Sequence, residues 1–140
     1  AYETLQTVMP KDEALQTVHG YVAEHAWTMR KTILKLLEVP GLYHLPPVLF
    51  SKLTPKFYGE TAGFAATEYQ TSGGVWRIDM TKCPYHDTCV EHGCPELCPC
   101  FCDSDDIAYD DLHPKLVWHR TKTLGRGNEC CDFCLKLAGK

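Results

Sequence analysis

The chain has no cysteine in its first 82 residues, no excess of positive charge, no long apolar run and no repeated Cys-x-x-Cys knuckle. Each absence excludes a class. A net charge of −4 and a pI near 5.9 leave no electrostatic footprint for nucleic acid. No apolar stretch approaches the ~20 residues that span a bilayer, so no membrane partner is expected. Residues 1–10 lack the charged-then-apolar layout of a signal peptide. Cysteines confined to the second half are poor staples for a whole domain. Reduced thiols in a cytoplasmic setting are therefore expected, ahead of a disulfide-rich secreted protein. A count near nine free thiols in the denatured, unreduced protein would exclude the secreted reading.

What is present is concentrated. Six of the nine cysteines and two of the seven histidines fall between Cys83 and Cys102. A second group, Cys130-Cys131-Asp132-Phe133-Cys134, follows Thr121-Lys122-Thr123-Leu124-Gly125-Arg126-Gly127. At 140 residues, with 44% apolar and 23% charged residues, the chain is expected to be one domain with its own core.

Hydrophobic spacing sets the elements. Leu15, Val18, Val22, Ala26, Met29, Ile33 and Leu37 recur every three or four residues, which predicts a helix over 11–38 ended by Pro40-Gly41. Asp12 and Glu13 suit its positive dipole end. His19 and His25 flank the stripe without partner ligands and are read as structural. Prolines and glycine punctuate 41–62, giving one or two short helices whose aromatic residues, Tyr43, Phe50, Phe57 and Tyr58, fill core or line a pocket. The period then becomes two. Phe64–Gln70, a Thr71-Ser72-Gly73-Gly74 turn and Val75–Lys82 predict a β-hairpin with Trp76, Ile78 and Met80 on one face. Residues 84–92 form a helical turn or two ended by Gly93. A helix from about Pro99 to Asp111 turns Ile107, Ala108 and Leu112 inward. Lys115–Leu124 and Cys130–Leu137 predict a second hairpin, with Cys131, Phe133, Leu135 and Leu137 on the face opposite to Cys130, Asp132, Cys134 and Lys136. The sum is an α+β domain: a helical part over 1–62, then a mainly antiparallel sheet of two hairpins joined by a Cys-rich helical crossover over 63–140.

Two chemistries compete for the thiols. Cys83 with His86, Cys89 with His92, and Cys98 with Cys100 or Cys102 leave a zinc or iron site open, although none has the spacing of a zinc finger or an iron–sulfur run. Alternatively a thiolate acts as nucleophile, favoured for Cys102 in a first helical turn and for Cys83 beside His86. Cys89, Cys94, Cys100, Cys130 and Cys134 are read as small buried hydrophobes or local redox groups. The acidic run Asp103-Ser104-Asp105-Asp106 and Asp110-Asp111 lacks an EF-hand's spacing and is read mostly as a solvated face.

The ordered array Cys83-Pro84-Tyr85, Gly93, Pro95-Glu96-Leu97, Phe101-Cys102-x-x-Asp105, Pro114, Arg120-Thr121-x-Thr123-Leu124-x-x-Gly127 and Cys131-Asp132-Phe133 resembles the L-2-amino-thiazoline-4-carboxylic acid hydrolase-like family, over about the second half of the chain. More distantly, the terminal strand resembles the end of 4-vinyl reductase-type ligand-binding domains, α+β folds with a cysteine-containing pocket. The resemblance implies hydrolytic opening of a cyclic amidine: water adds at the ring carbon between sulfur and nitrogen and yields a carbamoyl-cysteine. Carried onto this sequence, it marks Cys83, Cys102, Asp105, Thr123, Gly127, Cys131 and Asp132. Cys83, Cys102 and Cys131 would meet at one pocket, as thiolate and partners or, with a metal, as its ligands. Asp105 or Asp132 would be the carboxylate base, with Arg120, Thr123, Tyr85 and His86 as substrate-binding candidates and His86 and His119 in reserve for proton transfer. Arg120 is read equally as a holder of a substrate carboxylate and as a surface strand residue. The partner implied is a small-molecule substrate, and a homodimer is compatible with the sequence. Cys89, Cys94, Cys98, Cys100, Cys130 and Cys134 go beyond the family pattern. They support the alternative of a non-catalytic sensor holding a metal or small ligand.

Overall fold

The computed structural model describes residues 1–140. Five α-helices and a four-stranded antiparallel sheet make an α+β fold. The helices are α1 (Tyr2–Gln6), α2 (Lys11–Leu37), α3 (Leu45–Phe57), α4 (Pro84–Glu91) and α5 (Cys98–Tyr109); the strands are β1 (Ala65–Gln70), β2 (Val75–Lys82), β3 (Leu116–His119) and β4 (Cys131–Leu137). Spatial order is β1-β2-β4-β3, so the C-terminal strand β4 lies between β2 and β3 and joins the two hairpins.

The β1–β2 turn falls on Gly73 and Gly74, whose φ values of 65° and 81° are available to glycine without a Cβ penalty. In β2 Val75, Trp76, Ile78 and Met80 are buried, and opposite the last three on β4 stand Leu135, Phe133 and Cys131. This face carries the main core, with Leu112, Leu116 and Trp118. Ile78 and Leu135, 0% and 1% exposed, are its centre. Phe50 from α3 and Tyr109 from α5 complete an aromatic cluster with Trp76, Phe133 and Trp118, with ring centroids 4.7 to 5.9 Å apart. Within it the indole N–H of Trp76 is buried with no acceptor, an uncommon condition for a buried donor.

Helix α2 runs the full length expected and packs along α5. Arg30 of α2 donates to the carbonyls of Ile107, Asp110 and Asp111 at the end of α5, closing groups that a helix C-terminus leaves open. The expected stripe is only partly covered: Ala26 and Leu37 are buried, while Met29 is 41% exposed, because α5 spans less of α2 than α2's 27 residues. Strand β3 is shorter than the expected Lys115–Leu124. It stops at His119 because Arg120 turns away to α5 and Asp132 takes up the N–H groups of Thr121 and Lys122. Helix α1 had no sequence signal; its Tyr2 is buried and donates to Glu96 at 3.0 Å. No helix is long and apolar enough to cross a membrane.

Candidate functional site

Helix α5 begins at Cys98, with Pro99 in its first turn, where proline's missing N–H goes unused. Four residues on, Cys102 emerges one turn above Cys98, and Asp105 follows on the same face at i+3. The facing wall is the segment between β3 and β4. There Thr123 caps a short 3₁₀ turn, its Oγ1 accepting from Arg126 N–H at 3.2 Å, and Gly127 at φ 84° ends the turn. Gly125 lies directly against the thiols: a Cβ there would sit 2.9 Å from both the Cys98 and Cys102 sulfurs. Only a residue without a side chain lets this backbone approach them.

Cys102 is thereby surrounded by donors. The Cys98 S–H, the Thr123 hydroxyl, the Arg120 charge and the Gly125 N–H all favour its thiolate and, against burial, bring its pKa down to about 6. Cys98 is pushed the other way by the same contact and by burial, so it remains a thiol. Cys131 lies across the cleft with its sulfur accepting from Leu124 N–H at 3.2 Å; burial nevertheless raises its pKa to about 11. Cys83, preceding α4, is raised by burial, while the N–H groups of His86 and Tyr85 lower it without closing a capping bond. Charge on Cys102 acts on both Cys83 and Cys131, although those two pack with the main core and Cys102 packs with the second one. Of the three, Cys102 carries the thiolate.

The carboxylates divide as sharply. Burial raises Asp105 to about 7, opposed by Arg120 and reinforced by negative charge on Cys102 and Asp106. Even so, 38% of the Asp105 side-chain surface is open to solvent. Tyr58 and Tyr109 are near enough to be raised by its charge, Tyr109 to about 12 mainly by burial. Asp132 faces elsewhere. Its oxygens accept from Thr121 N–H at 2.8 Å, Thr121 Oγ1 at 2.6 Å and Lys122 N–H at 2.5 Å. Burial acts to raise it, but these donors prevail and hold it below the ordinary carboxylate range. Its role in this geometry is to pin the start of the Thr121–Gly127 segment.

Arg120 takes neither expected place. Its side chain is only 2% exposed, and it is committed to the chain's own oxygens: Asp106 at 2.6 Å, the Cys102 carbonyl at 2.7 Å and Asp105 at 3.2 Å. With the ring of Phe133 under its guanidinium, it is neither a surface residue nor free for a substrate carboxylate. Its work is to fix α5 against the sheet and to set the potential at Cys102 and Asp105.

Tyr85 is half-exposed and lies on Phe101, ring centroids 5.4 Å apart, at a separate apolar cavity beside α4. His86 pairs with its neighbour Asp87 at 3.2 Å. His119 is exposed on the outer sheet face, in a depression with Arg77, Asp132, Cys134 and Lys136. Cys130 is turned away from Cys131, under the charges of Asp79 and Glu129. All nine cysteines are free thiols. No three His, Cys, Asp or Glu side chains are arranged to hold a metal ion, so the donor set does not fit the zinc or iron that the cysteine spacing left open. Sequence reasoning named Cys98 only as a possible metal ligand and Tyr58 only as core or pocket lining, and it missed Gly125 and Tyr109. Gly125 had a signal, a glycine amid a Thr-Leu-Gly-Arg-Gly turn; Tyr109 had none.

The family model for L-2-amino-thiazoline-4-carboxylic acid hydrolase matches residues 1–135. The chain belongs to this family. The match takes in α1, α2 and α3, so the helical N-terminal part, which carried no motif, is part of the family's fold as much as the Cys-rich half. No curated protein and no solved structure matches the chain. Within the hydrolase-family fold, Cys102 and Asp105 occupy α5, and Cys131 and Asp132 open β4.

Proposed function

We propose that this hydrolase-family protein opens a cyclic thiazoline or related amidine ring, with Cys102 as nucleophile and Asp105 as proton carrier. The observation that carries the reading is the pairing on one helix face of a thiolate and a carboxyl that both titrate near neutrality, at about 6 and about 7. In solution a thiol and a carboxyl have the opposite order. Here a nucleophile and a general acid coexist between those values, as two groups pushed apart by their surroundings should if they divide the work of acid and nucleophile.

The Cys102 thiolate adds to the ring carbon between sulfur and nitrogen. The carbon–sulfur bond breaks, and the ring sulfur leaves with the proton of Asp105. The substrate is then held as an isothiourea on Cys102. Water attacks the same carbon and gives a proton to Asp105, and the Cys102 thiolate leaves, releasing a carbamoyl-cysteine. Gly125 N–H and Thr123 restore the thiolate as leaving group. The aromatic cluster adjoining Asp105 through Tyr109 supplies an apolar wall for a small ring. Trp76 Nε1, buried without an acceptor, is the donor we assign to a bound ligand there.

Turnover of 2-amino-thiazoline-4-carboxylate, followed by release of a free thiol, tests the reading. Wild type should show a burst of isothiourea adduct on Cys102 by intact mass, and Cys102→Ser should abolish both adduct and turnover. Turnover that survives in Cys102→Ser would overturn it.

A further inference from the structure

Behind Cys102 and its donor Cys98 lie two further cysteines, Cys89 and Cys94, that the hydrolytic reading does not use. Helix α4 ends in a Schellman motif: Gly93, at φ 66°, donates its N–H to Val90 O at 3.0 Å, and Cys94 donates its N–H to Cys89 O at 2.8 Å. This motif folds the residue after the left-handed glycine back onto the third residue from the helix end, where a hydrophobic contact is the rule. Here those two residues are Cys94 and Cys89. Both pack in one buried cluster with Cys98, and both Cys94 and Cys98 lie near enough to act on the Cys89 thiol. Cys98 in turn donates to Cys102, beneath the bare backbone of Gly125. Cys94, Cys89 and Cys98 thus share one cluster with Cys102 packed against it, leading from the wall of one cavity to the reactive site.

The arrangement suits exchange better than ligation. A metal needs donors around one point, and no three here provide it. A disulfide passed from thiol to thiol needs only neighbouring pairs. Residues four apart on a helix have Cα atoms about 6 Å apart, inside the range a disulfide spans. Cys100, between Cys98 and Cys102 in sequence, is turned toward Asp103, with no thiol partner. Cys89, Cys98 and Cys94 are buried at 5%, 2% and 9% exposure, and only Cys102 is more open. Cys89 and Cys94 also line an apolar cavity of about 430 Å³ with Tyr2, Tyr85, Leu97 and Phe101.

We propose that Cys102, Cys98, Cys89 and Cys94 are a thiol–disulfide exchange chain, which accepts an oxidising equivalent from a hydroperoxide at Cys102 and stores it as a Cys89–Cys94 disulfide. The Cys102 thiolate attacks the outer peroxide oxygen; the O–O bond breaks, an alcohol leaves after protonation, and Cys102 becomes a sulfenic acid. Cys98 attacks the Cys102 sulfur, forming the Cys98–Cys102 bond and expelling water. Cys89 attacks Cys98, releasing Cys102 as thiolate and its own proton to solvent. Cys94 attacks Cys89, and Cys98 leaves and takes up Cys94's proton. The sum is two thiols and a hydroperoxide converted to a disulfide, an alcohol and water. The apolar cavity admits a small thiol, two equivalents of which reduce Cys89–Cys94 and leave as their own disulfide. This chemistry stands whether or not the protein opens thiazoline rings.

The test is one equivalent of hydrogen peroxide on the reduced full-length protein, an iodoacetamide quench and disulfide mapping by mass spectrometry. The expected product links Cys89 to Cys94, with Cys98 and Cys102 alkylated. Cys98→Ser should leave Cys102 trapped as a dimedone-reactive sulfenic acid and lower the Cys89–Cys94 yield at least about tenfold, since exchange needs each neighbouring thiol. Cys94→Ser, at the cavity wall, should instead halt the chain at Cys89–Cys98, and circular dichroism checks that each variant is folded. Wild type ending as Cys102 sulfinic acid, or as Cys98–Cys102, would overturn the proposal. So would an undiminished Cys89–Cys94 yield in folded Cys98→Ser.

Discussion

Helix α5 and strand β4 each carry a cysteine and an aspartate, and the two elements hold them in opposite states. On α5 the thiol is lowered to about 6 and the carboxyl raised to about 7. On β4 the thiol is raised to about 11 and the carboxyl held low. Residue type does not distinguish the pairs; the donors do. Cys102 receives Cys98, Thr123, Gly125 and the Arg120 charge, whereas Cys131 has the single N–H of Leu124 within an apolar core. Asp132 collects three short bonds from the loop, and Asp105 shares a buried guanidinium with Asp106. On the proposed reading the inverted pair does the chemistry and the other pair holds the architecture, because reactivity near neutral pH requires a thiol lowered and an acid raised toward neutrality.

The comparison breaks most visibly at Cys102. Cys102→Ser should lower kcat/KM by at least about 10³-fold, the order expected when a nucleophile is removed; Cys131→Ser should change it little, both read by steady-state kinetics. Asp105→Asn should lower kcat by about 10²-fold and remove the alkaline limb of the pH profile. In wild type kcat/KM should be bell-shaped, rising as Cys102 ionises near pH 6 and falling as Asp105 loses its proton near pH 7; the two limbs belong to the pair jointly.

Asp132→Asn sharpens the architectural half. Losing charge-assisted bonds should cost about 2 kcal/mol of unfolding free energy, measured by denaturant titration at pH 7. The sign follows from the lowered carboxyl: its contribution is present above the ordinary carboxylate pKa and is lost as pH falls through its lowered native value. The gap between wild type and variant should therefore close in acid. Trp76→Phe is the smallest change. It removes a donor that has no acceptor but also opens a small void among the core rings, so stability should fall by about 1 kcal/mol, while KM rises if a bound ring supplies that acceptor.

Much of the fold was legible because periodicity reports burial directly. The α2 stripe, the Gly73-Gly74 hairpin and the alternation of Trp76, Ile78 and Met80 each announce one element. Proline at position 99 marked the start of α5, and with it the place of Cys102. The line between Cys131 and Asp132 was also readable, since adjacent strand residues face opposite ways. Tertiary pairing was not. Whether Arg120 meets a substrate or the chain's own Asp105 and Asp106 depends on where β3 ends, and that is decided by Asp132 capturing the next two N–H groups. The acidic run looked solvated because a sequence does not reveal the arginine, ten or more residues downstream, that draws two of its members inward. Cys98 and Gly125 become meaningful only once α5 and the loop are laid together.

The state of Cys102 is the point on which this picture rests. Alkylation of the reduced protein by iodoacetamide across pH 4.5–10, with the modified site located by mass spectrometry, measures it directly. Cys102 should be the fastest-reacting thiol, with a rate that titrates near pH 6 and shifts upward in Gly125→Ala, whose added Cβ must displace the Cys98 and Cys102 sulfurs. A Cys102 rate that titrates near an ordinary thiol value, or faster labelling at Cys83 or Cys131, would contradict it.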